Sequence, residues 1–431
     1  MKVAFYTLGC KVNLYETQAI LNKFKIYNYE IVSFEDKADI YVINTCTVTN
    51  TSASKSRKII RNAINKNKDA IIVVMGCYSQ MDADKIKEIG AHIILGTKDR
   101  GEIISLVEEY IKNHNNINIV SSLDNIPYEN LEVTFLEGKT RAFVKIEDGC
   151  NNFCTYCIIP YTRGRVRSKD KDLVLKEIHN LVSNNYLEVV LTGIHTGNYG
   201  SDLEDYNFGN LLIDIIKIDG LKRLRISSIE ITEINDNILN IVKNNNVIAN
   251  HLHIPLQAGS DDILKLMNRK YNTSYFREKI KKIREIRNDI AITTDVIVGF
   301  PGEDDNHFRE TYNFIKEIGF TNMHVFPYSP REGTKASLMP NQVDEVIKKK
   351  RVKELIALSK ELELNYMNKF INKTLEVIFE TTNDSYLIGH TSNYLKVKAI
   401  GNKEDIGKII GVKITKIEYP YCVGEYIIWQ M

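Results

Sequence analysis

Apolar and polar positions along this chain change their period several times, and the changes divide it. In the first third, short apolar runs at 2–8, 40–44 and 70–75 alternate with stretches in which apolar residues recur every three to four positions, roughly 14–27, 54–67 and 80–89. Runs of the first kind predict buried strands and those of the second amphipathic helices. Their alternation predicts a parallel sheet with both faces covered. Residues 114–138 are polar, lose the period and contain Pro127, as an interdomain connection would. Six further strand-like runs then alternate with helices: 141–146, 187–192, 222–228, 250–255, 290–298 and 321–326. Six units, not the eight of a closed TIM barrel, predict an open partial (β/α)6 barrel.

A long amphipathic helix is expected from about Val343 to Met367, carrying Lys348, Lys349, Lys350 and Arg351. From about Asn368 the period falls to two, with β-branched residues at 373–380, 385–389, 394–400, 409–417 and 425–430. Five short strands in so little chain predict a small OB-like β-barrel, an architecture that commonly holds nucleic acid. The expected fold class is therefore α/β with a β-rich tail. An N-terminal parallel α/β domain spans 1–113, a linker 114–138, a partial barrel 139–367 and the small β-barrel 368–431.

Composition narrows the function classes. A chain of 431 residues has room for two or three domains. Its net charge of +2 excludes a general polycation, so any nucleic-acid surface must be a local patch. One candidate is residues 54–68, where Lys55, Arg57, Lys58, Arg61, Lys66 and Lys68 occur with no acidic residue. Such a run is either a solvated face or a phosphate-binding surface. No apolar run approaches the ~20 residues that span a bilayer, and no signal peptide precedes the first strand. Seven cysteines in that setting suggest a cytoplasmic protein whose thiols bind metal.

The cysteines are ordered. Cys150, Cys154 and Cys157 form a Cys-x3-Cys-x2-Cys array directly after the run 141–146. Three thiolates on one loop can ligate three corners of an iron–sulfur cubane and leave the fourth iron open. Structural zinc wants four closed ligands, and no cysteine or histidine follows Cys157 until His179. Cys10, Cys46 and Cys77 each follow a predicted strand, where binding groups of parallel sheets gather. Free cysteines are often simply buried, but three in one topological position favour a shared metal. Their gaps of 36 and 31 residues exclude a zinc ribbon.

Cys150-x3-Cys154-x-Tyr156-Cys157 resembles the signature of the radical S-adenosylmethionine (SAM) enzymes. Thr7-Leu8-Gly9-Cys10-Lys11-Val12-Asn13, Asn44-Thr45-Cys46-Thr47-Val48 and Gly76-Cys77 resemble the N-terminal domain of the methylthiotransferases within that family. The resemblance covers essentially the whole chain. It implies two 4Fe–4S clusters. One, on Cys150, Cys154 and Cys157, chelates SAM and cleaves it reductively to a 5′-deoxyadenosyl radical. The other, on Cys10, Cys46 and Cys77, carries a sulfur species methylated by a second SAM. An external electron donor and sulfur source, a tRNA anticodon loop as partner and a TRAM-like C-terminal domain are implied with them, in a chain expected to be a monomer.

At the strand ends, SAM contacts are expected from Tyr156, Gly193, Ser228, Glu230, Gln257, Val298 and Gly299, the two glycines allowing close backbone approach. Arg163, Arg165 and Arg167 alternate on what reads as an extended segment and so point one way. They would bind phosphates or the SAM carboxylate, or lock the loop by ion pairs. Arg331, in the closing segment Tyr328–Thr334, is expected to touch substrate or SAM. His195, His251 and His253 receive no role, and Cys422 reads as a core or surface thiol.

Leu8-Gly9-Cys10-Lys11-Val12-Asn13 resembles the class acting on threonylcarbamoyladenosine in tRNA. Lys11 and Asn13 are then substrate contacts, with Lys11 facing the carboxylate. The sister classes act on isopentenyladenosine in tRNA, with Gln-Met after the first cysteine, or on a ribosomal-protein aspartate, with Pro-Lys. From other classes, a two-cluster electron carrier and a zinc-dependent RNA-binding protein are the alternatives.

Overall fold

The computed structural model describes residues 1–124, 126–133, 140–383 and 385–427. The N-terminal sheet has six parallel strands: β1 (Lys2–Thr7), β2 (Glu30–Val32), β3 (Ile40–Thr45), β4 (Ile71–Gly76), β5 (Ile93–Leu95) and β6 (Ile117–Ile119), in the order β2-β1-β3-β4-β5-β6. The central strands β3 and β4 are buried throughout, which is why they read as unbroken apolar runs. Helices α1 (Lys11–Ile26), α2 (Asn50–Lys66) and α3 (Cys77–Met81) follow β1, β3 and β4. The helix expected at 80–89 is two, α3 and Ala83–Ile89, broken at Asp82. Strand β6 pairs in parallel with β5. The sheet therefore extends to Ile119, into the stretch expected to be linker, and residues 125 and 134–138 of that stretch lie outside the described residues.

The second unit contains β7 (Arg141–Lys145), a two-residue antiparallel pair β8 (Glu147–Asp148) and β9 (Arg167–Ser168), then β10 (Glu188–Thr192), β11 (Arg223–Ile226), β12 (His251–His253), β13 (Ala291–Val298) and β14 (Asn322–Pro327). Strands β7, β10 and β11 are parallel neighbours, as are β12, β13 and β14. Parallel bridges Leu224–Ile248 and Ser228–His253 join the two groups. The result is the expected open barrel of six parallel strands. One hydrophobic core runs from Val3, Phe24, Val42 and Val73 of the N-terminal sheet into Val144, Ile178, Leu224 and Val296 of the barrel. The two units are thus packed together and not strung on a tether.

The C-terminal strands β15 (Thr374–Asn383), β16 (Tyr386–Thr391), β17 (Lys396–Ile400), β18 (Ile409–Glu418) and β19 (Tyr421–Tyr426) close into a barrel. The last begins earlier than the expected 425–430, of which 428–430 fall outside the described residues. In β19 the inward positions are Cys422 and Gly424, small residues that carry little apolar signal. Cys422 is buried in the core of this barrel with Phe379, Val412 and Ile414. No helix among the described residues is long and apolar enough to cross a membrane.

Candidate functional site

Strands β1, β3 and β4 end at one sheet edge, and each delivers a cysteine. Gly9 and Gly76 both have φ of +104°, which favours glycine and turns the chain sharply into Cys10 and Cys77. A Cβ on Gly9 would lie 3.0 Å from Cys46 Cβ and 3.1 Å from its sulfur, so the bare glycine lets the first two loops meet. Asn13 ties them, its amide donating to Leu8 O (2.8 Å) and Thr45 O (3.0 Å). The Ser56 hydroxyl of α2 donates to Cys46 O (3.1 Å). Cys46 and Cys77 are buried and Cys10 is exposed. Burial raises the pKa of all three thiols, and the Arg163 guanidinium opposes it at each. Each thiol also feels another of the three, as residues sharing one site would.

Arg163 sits behind this triad with its side chain fully buried. Its Nε–H donates to Cys77 Sγ (3.3 Å), and its two terminal nitrogens donate to Glu16 (2.8 and 3.1 Å), Asp148 (3.0 Å) and Asn13 Oδ1 (2.8 Å). Glu16 also binds Arg100 (2.6 Å) and Lys145 (2.9 Å), and Lys145 binds Asp148 (2.6 Å). Coulombic attraction from these cations overcomes burial and holds both carboxyls below their ordinary range. This knot of buried charge draws on both the N-terminal unit and the barrel.

Arg163 therefore takes the loop-locking alternative, and what is corrected is the extended, one-sided alternation. Residues Ile159–Arg163 form a helical turn ended by Gly164 at φ +76°, so the three arginines do not alternate on an extended segment. Arg163 is buried in the knot. Arg165 is exposed, 4.5 Å over the Phe153 ring. Arg167 turns back to the Arg163 and Arg165 carbonyls (2.7 and 2.9 Å). Asn13 is corrected likewise: it is buried, and both ends of its amide are engaged within the protein.

The second triad lies in the loop after β8. Gly149, at φ +87°, has no room for a Cβ against Arg165 O. The Cys150 amide donates to Gly164 O (3.1 Å) and the Cys157 amide to Cys154 O (2.9 Å). Three residues unassigned from sequence touch this loop. His195 Nδ1 lies 3.7 Å from Cys150 Sγ, with its Nε2 on Glu233. Arg269 donates to Cys154 Sγ (3.3 Å) and pairs with Glu230. Glu147 receives the His195 amide (2.7 Å), and burial pushes its carboxyl up to about 8. Its other oxygen is buried without a partner.

The remaining expected SAM residues fall around the same barrel end. Tyr156 stands among Cys154, Arg269 and Cys157. Gly193 faces the Glu147 carboxylate, 2.7 Å from where its Cβ would lie. Ser228 bridges to His253, and Gln257, at φ +66°, to Val296. Glu230 is engaged by Arg269, and Val298 is buried. Gly299 departs from expectation: the Lys348 side chain packs against it, so its bare face is already covered. Arg331 clasps the Cys46 loop through Asn50 Oδ1 (2.6 Å) and the Thr47 hydroxyl. A surface groove of about 480 Å³ lined by Asp261, Thr273, Arg277 and Phe314 belongs to the outer helices and is lined by none of the six cysteines.

Each triad presents sulfur donors alone. Among the described residues, no three His, Cys, Asp or Glu side chains converge closely enough to hold a single ion. A tetrahedral zinc would draw its ligands to about 2.3 Å from one centre. Three thiols on adjoining loops, with cationic or imidazole groups against their sulfurs, fit a cubane cluster with an open iron.

Residues 144–315 match the Radical SAM superfamily, and residues 2–96 match the uncharacterized protein family UPF0004. The chain is 48% identical to the threonylcarbamoyladenosine tRNA methylthiotransferase MtaB of Bacillus subtilis, over 99% of this chain and 96% of that one. With the enzyme of that name from Aquifex aeolicus it shares 41%, over 96% and 100%. It is 34% identical to the tRNA-2-methylthio-N(6)-dimethylallyladenosine synthase of B. subtilis, over 98% and 85%. Among solved structures, the radical SAM methyltransferase TsrM from Kitasatospora setae superposes with a TM-score of 0.58 at 12% identity, covering 78% and 77% of the two chains, which speaks for the fold alone. With relatives this similar along nearly its whole length and both cysteine triads assembled at strand ends, the chain belongs to the radical SAM methylthiotransferase family.

Proposed function

We propose that the chain adds a methylthio group to C2 of N6-threonylcarbamoyladenosine at position 37 of tRNA. The observation that carries this reading is the pairing of two three-cysteine sites across one buried ionic knot, in a chain that aligns end to end with enzymes of that name. When bound, the clusters and SAM supply the radical, the sulfur and the methyl group, which no side-chain acid or base could provide at an unactivated ring carbon.

The protein's own residues supply place and environment. Cys150, Cys154 and Cys157 would hold one cluster and Cys10, Cys46 and Cys77 the other. Arg163 and Arg269 each set a positive hydrogen-bond donor against a ligating sulfur. Arg331 holds the Cys46 loop to the barrel's closing segment. Tyr156, Gly193, Ser228, Glu230 and Gln257 ring the barrel mouth where SAM would sit, and Glu147, protonated in its buried site, has an oxygen free for a polar partner there. An anticodon loop can splay out its base into such a mouth more readily than a duplex. Exposed Lys55, Lys58 and Arg61 on α2, immediately after the Cys46 loop, and the small C-terminal barrel supply RNA-facing surface. An external electron donor and a sulfur source complete the reaction.

Nucleoside mass spectrometry of tRNA from a strain lacking the gene tests the reading. The methylthio-threonylcarbamoyl nucleoside should vanish while its unthiolated precursor accumulates. Loss of the isopentenyl-derived species instead would assign the chain to the sister class.

A further inference from the structure

The loop that carries Cys150, Cys154 and Cys157 is braced by two segments distant in sequence. The Thr155 amide donates to Met267 O (3.1 Å) and its hydroxyl to Leu266 O (2.8 Å), while the Ala336 amide donates to Thr155 O (2.8 Å). The Asn268 side-chain amide reaches the Asn152 and Phe153 carbonyls (3.4 and 3.2 Å). These contacts bring together three stretches that contain no acidic residue: 149–169, 263–277 and 333–343. Each carries exposed cations: Arg165 on the first, Lys265 and Lys270 on the second, Lys335 on the third. Arg165 lies over the Phe153 ring at 4.5 Å and Lys270 donates to Asn268 Oδ1 (2.9 Å). Among the described residues none of the four is ion-paired. Exposed Asp262 and Glu332 flank these stretches in sequence, and Asp124 adjoins Leu123, which lies against Gly164.

Apolar side chains are exposed on the same segments. Leu266 is 42% exposed, Leu338 88% and Tyr161 45%, and Tyr161 meets the Phe153 ring edge-on with centroids 5.9 Å apart. The loop is also a thin cover, since Cys150 and Cys157 are only half-buried. Unpaired cations around exposed apolar groups are the make-up of a protein interface, with an apolar centre and a charged rim. An RNA backbone would engage the lysines through its phosphates but gain nothing from Leu266 and Leu338.

We propose that this face, built from Lys265, Leu266, Lys270, Lys335 and Leu338 around the Cys150–Cys157 loop, docks the electron donor, and that the donor is a small redox protein with an acidic surface. The lysines steer its carboxylates, Leu266 and Leu338 are buried in the contact, and the electron crosses the intervening loop. The donor is oxidised by one electron and the cluster held by Cys150, Cys154 and Cys157 is reduced by one; no bond is made or broken at the face itself. This rests on the reading that an external donor feeds that cluster, and it is independent of which tRNA base is modified. Opposite charges raise the rate of encounter without demanding a tight complex, which suits a partner that must leave after each electron. Redox encounters are accordingly among the smallest protein interfaces.

The test uses the full-length, cluster-loaded enzyme with SAM and, as probe, a flavodoxin of strongly negative net charge in its hydroquinone form. Stopped-flow absorbance follows the flavin semiquinone that appears as the electron leaves. The second-order rate should fall with added salt, and Lys265→Glu, Lys270→Glu and Lys335→Glu together should slow it about tenfold or more, as loss of electrostatic steering does. The same change of charge at exposed positions of the N-terminal unit, Lys37→Glu, Lys87→Glu and Lys112→Glu together, should leave it within about twofold of the wild type. Titration calorimetry with oxidised flavodoxin, which passes no electron, should show the same contrast in affinity. Reduction by dithionite and binding of a tRNA anticodon stem–loop should be unchanged in both variants. If the first variant takes electrons as fast as the wild type, or the second is slowed equally, the docking face is overturned. Weakened stem–loop binding with flavodoxin transfer intact would give the face to RNA and overturn it as well. A wild type that takes the electron at this face but modifies only isopentenyladenosine would end the substrate reading and leave the docking face in place.

Discussion

Replacing Arg163 with methionine removes the guanidinium from the buried knot at nearly constant length. Glu16 loses contacts at 2.8 and 3.1 Å, Asp148 two at 3.0 and 3.2 Å, and Asn13 and Cys77 one donor each. Deleting one partner of a buried ion pair costs about 3–5 kcal/mol, chiefly because the abandoned charge stays buried. Here neither carboxylate is left bare. Glu16 keeps Arg100 and Lys145, and Asp148 keeps Lys145 and Arg167. The expected cost therefore sits at the low end, about 3 kcal/mol. Arg163→Lys retains a point charge able to reach a carboxylate, but not the planar fork that serves Asn13 and Cys77 together. It should cost about 1–2 kcal/mol. Urea unfolding of the metal-free chain, followed by circular dichroism, reads both, with the first transition taken because several packed units need not melt as one. A methionine variant within about 1 kcal/mol of the wild type would show the knot to be energetically idle.

Two further outcomes follow from the same geometry. Cys150→Ala, Cys154→Ala and Cys157→Ala together should abolish SAM cleavage and remove about four of about eight irons, whereas the matching Cys10, Cys46 and Cys77 triple variant should keep SAM cleavage and lose methylthio transfer, both read by iron assay and product chromatography. Burial raises the Glu147 pKa from 4.5 to about 8, so the native state keeps a proton that the unfolded chain releases. Its contribution to stability is full below about pH 4.5 and is lost as pH rises to about 8. Glu147→Gln, which mimics the protonated carboxyl, should match the wild type in urea midpoint near pH 4.5 and exceed it near pH 8. Equal midpoints at both would rule out the buried proton.

The placement of the six cysteines beyond strand ends and all six barrel strands could be read from the sequence, because thiols at the ends of apolar runs are a local signal that tertiary context does not alter. Strands β2, β5 and β6 could not. Three residues are too few for either period to register, and their pairing comes from neighbours distant in sequence. Arg163 was misplaced because a period of two was applied to a helical turn. Its partner Glu16 lies 147 residues away, yet a signal for it existed: it falls midway between Val12 and Ile20 on the buried stripe of α1, where a charge needs a partner. Tyr394 of the C-terminal barrel, whose ring stacks on His251 of β12 with centroids 4.9 Å apart, carried no signal at all, since its environment is assembled by a different unit.

The knot also bears on modularity. A cut at the stretch between the N-terminal sheet and the barrel would look natural from sequence, but it would separate Glu16, Arg100, Asn13 and Cys77 from Lys145, Asp148 and Arg163. The freed half would carry an ionised glutamate at a surface shaped for two missing cations, next to apolar side chains that had shared a core. Such a fragment is no cassette to be grafted onto another barrel. The two halves have become each other's ligands, and a substitution in either changes the charge that the other must hold buried.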